Sequence, residues 1–314
     1  MKPAPLLPYT KIVGQERLKL ALELVYVSPR IGGVLIRGQR GTGKSTAARS
    51  FAQMLYGDLP VTLPINATED RVVGGWQLEQ LLLGEPVPQP GLLSQANGNL
   101  LFVDEVNLLD DHIVNIILDV TSTGILSVQR EGLDLPDERV SFVLVGTMNP
   151  DEGELRPQLL DRFGLAIHLG TTLDEEDRMK IIDTVLGYDR ALAMWRADPA
   201  TPVPYFVEGK ADDDEHRARL DNARLRLPDV NLDPKIASKC VALAARFEVD
   251  GYRADYLLAL AGCACAALRG TDQVAEGHIR EVAPLVLMHR QSKKDQVIWH
   301  DTTDDEIVDE VLST

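Results

Sequence analysis

One octapeptide constrains this chain more than any other feature. Gly38-Gln-Arg-Gly-Thr-Gly-Lys-Ser45 has the spacing G-x-x-x-x-G-K-[ST], and it lies between a β-type run, Val34-Leu-Ile-Arg37, and a helical stretch from Thr46 to Leu55. That spacing in a strand–loop–helix is the context in which a glycine-rich loop cradles phosphates. The glycines let the backbone bend so that its N–H groups face inward, and the start of the helix adds positive potential. Lys44 is positioned to reach the β- and γ-phosphates, and the Ser45 hydroxyl to ligate Mg²⁺. Gly38, Gln39, Arg40, Gly41, Thr42, Gly43 and Thr46 complete the predicted ATP-binding segment.

The rest of the first half fits that loop. Val61–Ile65, Leu100–Val103, Ser141–Val145 and Ala166–Leu169 are further strand candidates, separated by helical stretches. This alternation predicts an α/β domain with a parallel sheet flanked by helices over 1–172. Within it, 68–98 reads as an insert carrying Trp76 and a Pro-rich stretch. Residues 124–140 read as a β-hairpin, with apolar positions 126, 128, 133 and 135 around Arg130-Glu-Gly132. From 174 the strand signal fades. A connecting helix starts near Asp174, and 197–231, rich in Pro and Asp, reads as an irregular acidic linker with one polar helix over 212–225. Helical patterns at 234–248, 253–269 and 275–290 predict an all-helical domain over 232–292. The remainder, 293–314, reads as an acidic, solvated tail.

Two carboxylates follow the strand Leu100-Leu-Phe-Val103. The end of a buried strand is where ligands bind in open α/β sheets. Asp104 is expected to hold Mg²⁺, and Glu105 to act as general base on the attacking water. The neighbouring strand ends Gly-Thr-Met-Asn149-Pro150, which offers an amide to orient that water. Beyond it, Gly153-Glu-Leu-Arg156-Pro-Gln-Leu-Leu-Asp161-Arg162-Phe163 carries two arginines, of which Arg162 is the better candidate to neutralise transition-state charge from a neighbouring subunit.

Composition narrows the alternatives. Asp and Glu number 48 against 32 Lys and Arg, for a net charge of −16, and aromatics are 5%. A general polyanion binder or a stacking surface for single strands is not expected. The predicted hairpin offers Arg130 and Arg139 against Glu131, Asp134, Asp137 and Glu138, a poor lining for a nucleic-acid motor. Cys240, Cys263 and Cys265 make no disulfide framework, and the six histidines are dispersed with no metal-site spacing. The opening stretch has no long apolar run and 256–268 is too short to span a bilayer, which predicts a cytoplasmic protein without membrane contact.

These motifs together resemble the AAA+ ATPases, and specifically the magnesium chelatase I-subunit group, over roughly 9–291. The resemblance rests on Ile12-Val-Gly-Gln-Glu16, Gly38–Thr46, Ala67-Thr-Glu-Asp-Arg71, Pro90-Gly-Leu-Leu93, Leu101–His112 and Gly153–Phe163. MoxR-type AAA+ proteins are more distant relatives. The resemblance implies an AAA+ domain followed by a helical lid. It places Val13 and Gly14 near the adenine, and makes Lys44 and Ser45 Walker A, Asp104 and Glu105 Walker B, Asn149 sensor 1 and Arg162 an arginine finger in trans. Arg253, in Asp250-Gly-Tyr-Arg253-Ala-Asp255, matches the sensor-2 arginine, and Asp161 an interface aspartate. It further implies a homo-oligomeric ring, a hexamer, with a von Willebrand A domain partner and a separate chelatase catalytic subunit. Only Thr46 to Asn66 separates Walker A from Ala67, shorter than in typical pigment-pathway members. A MoxR-like chaperone ATPase with a von Willebrand A partner is the alternative, and a DNA translocase a weaker one.

Overall fold

The computed structural model describes residues 4–85, 87–127, 129–130, 133–134, 137–170, 175–249, 251–291, 299 and 303–313. Val34–Gly38 (β1), Val61–Leu63 (β2), Leu100–Val103 (β3), Val143–Met148 (β4) and Leu165–Leu169 (β5) form one sheet in the order β5-β1-β4-β3-β2, with every neighbouring pair parallel. Every residue of β1, β3 and β4 is buried, as expected of parallel strands covered on both faces. Glu16–Val27 (α1) and Lys44–Tyr56 (α2) pack on this sheet. Their large apolar side chains, among them Leu18, Leu22, Phe51 and Leu55, are in its core.

The register decides where chemistry can occur. Arg37 pairs with Met148, and Val103 with Gly146. The residues that follow β1, β3 and β4 therefore leave the sheet at one edge. β4 runs through Gly146-Thr-Met148 rather than ending at Val145. Glycine at 146 is not a break: a Cβ there would lie 3.2 Å from the Phe163 ring. Asp111–Thr123 (α3) follows the 3₁₀ turn after β3, and its first turn is capped by the Asp110 carboxylate, which accepts from the His112 N–H at 2.8 Å.

Between β2 and β3, and between α3 and β4, short antiparallel pairs occupy the two segments read as an insert and a hairpin. Gly74–Trp76 pairs with Pro88–Pro90, Ile125–Leu126 with Glu138–Arg139, and Gln129–Arg130 with Leu133–Asp134. Residues 128, 131, 132, 135 and 136 of the hairpin lie outside the described residues.

The second half departs from the sequence reading at two places. Glu175–Ala197 (α4) is followed by a single 23-residue helix, Pro204–Arg226 (α5), where an irregular linker with a shorter helix was expected. Pro204 is in the first turn of α5, where a missing N–H costs nothing. Leu220 and Ala223 are buried, and Gly209 lies so close to Pro8 that a Cβ would be 2.3 Å from its ring. The acidic run inside α5 has structural work too. Asp213 accepts the Thr10 N–H at 2.9 Å and the Thr10 hydroxyl at 2.7 Å, which ties the 3₁₀ turn Tyr9–Lys11 to the helix.

Pro234–Arg246 (α6), Arg253–Leu268 (α7) and Glu276–Leu287 (α8) form the helical lid, and α7 packs against both of the others. The second departure is the tail. Thr303–Ser313 (α9) is a helix that packs on α6 and α8, not a solvated end. Asp304, Val308 and Leu312 are four residues apart, fall on one face and are buried. Trp299 stacks on Phe247 at 5.4 Å and donates to Asp305 Oδ1 at 2.8 Å. The acids of the first turn suit the positive end of the helix. Residues 293–298, 300–302 and 314 of the predicted tail lie outside the described residues. Cys240 and Cys265 are buried in the lid, and burial pushes both thiols up to about 12, which leaves them inert. Among the described residues, no helix is long and apolar enough to cross a membrane, and no group of acids, histidines and cysteines is arranged to hold a metal ion.

Docking of α9 has a measurable consequence. Leu312→Ala is expected to cost about 2 kcal/mol and to lower the thermal unfolding midpoint by about 4 °C. An unchanged melt would mean that the tail is solvated after all.

Candidate nucleotide-binding site

The glycine-rich loop takes a conformation that its residue types demand. Gly41 and Gly43 have φ of +84° and +82°, in the left-handed region that side chains disfavour. Gly43 is the N-cap of α2 and supplies no side-chain cap, so the first N–H groups of the helix are available to a ligand's oxygens. The Thr42 hydroxyl donates to the Gln39 carbonyl at 3.0 Å, closing the loop on itself. Gln15, also at positive φ, donates its amide to the Thr42 carbonyl at 2.7 Å. Lys44 donates to the Gly38 carbonyl and, at 3.0 Å, to that of Gln39. Burial lowers its pKa, and the nearby charges of Asp104, Glu105 and Glu152 oppose that shift.

Lys44, Ser45, Asp104, Glu105, Thr147 and Asn149 line one cavity of about 290 Å³. The carboxylates are held by a hydroxyl. Thr147 donates to Asp104 Oδ1 at 2.6 Å and accepts the Glu105 N–H at 3.0 Å. Thr147 is fully buried on β4, level with the end of β3. Glu105 sits at φ +54°, a conformation uncommon for a non-glycine residue, so its backbone turns sharply out of the strand. Its carboxylate meets Arg40 at 3.3 Å, and Arg40 also pairs with Glu152 at 2.5 Å. Arg40 is 74% exposed, so these pairs contribute little stability. The Asn149 side-chain oxygen accepts the Asp151 N–H at 3.3 Å, which leaves its amide N–H groups for the cavity.

A second cavity of about 640 Å³ lies against Gly41–Gly43. Ile12, Val13, Ile167, Leu169, Ile181 and Val185 give it apolar walls suited to a flat heterocycle. Gly14 turns the chain there at φ +65°. Thr46 borders both cavities. The arrangement fits a magnesium nucleotide: a free helix N-terminus and a lysine for phosphates, and hydroxyl and carboxylate oxygens at Ser45 and Asp104, the donor type Mg²⁺ prefers.

Arg162 and Arg253 do not join this group. Leu165, at the start of β5, pairs with Val34 at the start of β1, so residues 161–164 lie at the sheet edge opposite the glycine loop. β1 spans roughly 13 Å between those edges. Arg162 bonds Asn115 Oδ1 at 3.1 Å and Asp119 Oδ1 at 2.8 Å on α3. Arg253 donates to the Arg162 carbonyl at 2.8 Å. Arg156 pairs with Asp111 at 2.6 Å.

Thr147, Gln15 and Glu152 were not among the residues singled out from sequence. A hydroxyl inside an otherwise apolar strand was the available signal for Thr147. Gln15 and Glu152 gave none, because each acts through a long-range contact.

The fold and the site define an AAA+ ATPase. A family model described as AAA domain (dynein-related subfamily) matches residues 33–163, and one described as AAA lid domain matches residues 237–311. The magnesium-chelatase 38 kDa subunit of Cereibacter sphaeroides is 40% identical over 90% of this chain and 91% of its own. The chloroplastic magnesium-chelatase subunit ChlI of Nicotiana tabacum is 38% identical over 92% of this chain and 75% of its own. Rv2850c, an uncharacterised protein of Mycobacterium tuberculosis, is 46% identical over 93% of this chain, which spans only 46% of that relative's length. Among solved structures, a chain of the magnesium chelatase BchI–BchD complex matches with a TM-score of 0.50 at 36% identity, covering 93% of this chain and 98% of its own. A crystal structure from Cytophaga hutchinsonii shares the fold, with a TM-score of 0.66 at 20% identity and coverage of 97% and 91%. The chain belongs to the magnesium-chelatase I-subunit (ChlI/BchI) family.

The bridge through Thr147 generates a prediction. Thr147→Val removes the shared hydroxyl without changing the side chain's shape, and is expected to reduce kcat for ATP hydrolysis by about tenfold, or ~1.4 kcal/mol. Thr147→Ser should retain most of the rate. Steady-state turnover at saturating ATP measures both, and a wild-type rate for Thr147→Val would show that the hydroxyl positions nothing.

Proposed function

We propose that the chain binds MgATP at the Lys44–Asp104–Asn149 cavity and hydrolyses it as one subunit of a ring motor. The convergence of Lys44, Ser45, Asp104, Glu105 and Asn149 on one cavity, beside an apolar one, carries this reading. Backbone N–H groups of 41–46 and the Lys44 ammonium bind the phosphates. Val13 and Gly14 border the base. Ser45 and Asp104 hold Mg²⁺, which offsets phosphate charge when bound. Glu105 takes the proton from the attacking water, and the Asn149 amide orients that water.

The same reading makes the site shared. Arg162 is turned away from its own glycine loop, so the phosphate it neutralises is a neighbour's. Arg253, bonded to the Arg162 carbonyl, belongs to that donated edge. We assign 1–172 to the nucleotide-binding domain and extend the lid beyond 292 to take in α9. The relatives' names, magnesium-chelatase subunits and a chain of a BchI–BchD complex, support work beside a second kind of subunit in a chelatase. We add to that reading a homo-oligomeric, hexameric ring, a von Willebrand A domain on the second subunit, and metal insertion by a separate catalytic subunit that ATP turnover drives.

Glu105→Gln keeps the side chain's size and removes the base. Hydrolysis should fall by a factor of about 10² or more, while binding of a fluorescent ADP analogue stays within about twofold. Retained turnover would remove Glu105 from the general-base role. Affinity capture with ATP present should recover a larger chelatase-type subunit; recovery of client proteins without one would favour a chaperone motor instead.

A further inference from the structure

The loop that carries Arg162 is held by its backbone, and the side chains that take its carbonyls all come from the lid. Residues 161–164 connect the short helix Pro157–Leu160 to β5. Arg290, just after α8, donates from Nη2 to the Asp161 carbonyl at 2.7 Å and to the Phe163 carbonyl at 2.5 Å. Its Nη1 donates to the Gly164 carbonyl at 3.0 Å and to the Val286 carbonyl at 2.6 Å. Its Nε donates to Asp161 Oδ1 at 3.0 Å. Arg253 takes the Arg162 carbonyl, and His289 Nε2 donates to that of Phe163 at 3.1 Å. Four successive carbonyls, 161 to 164, are thus claimed by Arg253, His289 and Arg290.

Arg290 uses all five of its guanidinium N–H donors, the full capacity of the group. It is only 7% exposed. Burial lowers its pKa to about 10, so it stays charged at neutral pH, opposite Asp161. His289 is buried beside it, and burial followed by the charge of Arg290 pushes its pKa well below the usual histidine value, which keeps it a neutral donor. A lysine offers one point charge with three donors and cannot reproduce the planar fork.

The other side of the loop is closed as well. A Cβ on Gly164 would lie 1.9 Å from the Ile31 carbonyl oxygen, and the Phe163 ring fills the space over Gly146. One group escapes this clamp. The Arg162 side chain leaves the loop, is 38% exposed and rests on the half-buried Asn115 and on Asp119, itself 61% exposed. A fixed backbone with a part-exposed side chain is what a donated arginine requires: its base must not move when its tip changes partner.

We propose that Arg290 is a positioning residue that fixes Arg162 for the nucleotide site of the neighbouring subunit, so that lid and finger of one chain move as one body. The proposal rests on the shared-site reading above. It deepens that reading by naming the lid contact through which one subunit's lid position sets the hydrolysis rate in the next.

Mixed-subunit ATPase assays test it. Arg290→Lys alone should bind the fluorescent ADP analogue normally, because its own glycine loop is untouched, yet lose about tenfold or more in kcat with KM little changed. Mixed with Lys44→Ala subunits, which keep a sound finger, it should regain activity above the sum of the two alone. Mixed with Arg162→Ala subunits it should not. The pair Arg162→Ala with Lys44→Ala is the control: if that pair shows no rescue, the shared site itself is wrong. If the control is rescued but Arg290→Lys with Lys44→Ala is not, Arg290 acts in its own subunit and the proposal falls. Unchanged kcat for Arg290→Lys also overturns it. Should Arg290→Lys fail to melt cooperatively, His289→Ala removes a single donor from the Phe163 carbonyl, and the same asymmetry of rescue is required of it.

Discussion

Three parallel strands that end level with one another make the rest possible. β1, β4 and β3 are neighbours, and their pairing sets Arg37 beside Met148 and Gly146 beside Val103. One further residue along each strand delivers the glycine loop, Asn149 and the Asp104-Glu105 pair to a single edge. A slip of one residue in β4 would turn the Thr147 hydroxyl to the other face and leave Asp104 and the Glu105 amide without their partner. The apolar strands buried on both faces fix that register, so the hydrophobic core and the chemistry of the site are one constraint.

The opposite edge of the sheet belongs to the lid. There the lid grips residues 161–164 by their carbonyls, while the glycine loop stands at the far end of β1. The two edges carry different groups: one has the cavity with Lys44, Asp104 and Glu105, the other Arg162 and Arg253. At the glycine-loop end of β1 the buried Arg37 pairs with the half-exposed Glu154 at 2.5 Å; burial lowers the arginine's pKa and the glutamate opposes that shift. Arg162, half-buried, reaches instead to Asn115 and Asp119 on α3.

Much of the site was legible in the sequence because its signals are local. Gly38–Ser45 needs positive φ at fixed positions, and only a few residue types permit it. Asp104 and Glu105 follow four apolar residues, and strand and carboxylates read together. The long-range contacts were not legible. Thr147 offered only a hydroxyl in an otherwise apolar strand, and its partners Asp104 and the Glu105 amide lie more than forty residues away. The stretch before the polar helix read over 212–225 looks irregular because its Pro content signals loops, yet Pro204 falls in the first turn of one helix that runs to Arg226, and Asp213 within it caps a distant segment. The acidic tail looked solvated because its period of four is carried by only Val308, Leu312 and a buried Asp304. The neighbour of Arg253 could not be foreseen: its contact is with a carbonyl ninety-one residues away.

In the proposed function, a complete hydrolytic site needs two copies of this chain. Its most direct measurement is ATP turnover per chain as a function of chain concentration, at saturating MgATP and constant ionic strength, with assembly state followed by light scattering. The account predicts negligible turnover for isolated chains and a steep rise that tracks assembly. Constant turnover per chain across the assembly transition would contradict it, because a single chain would then carry everything hydrolysis requires.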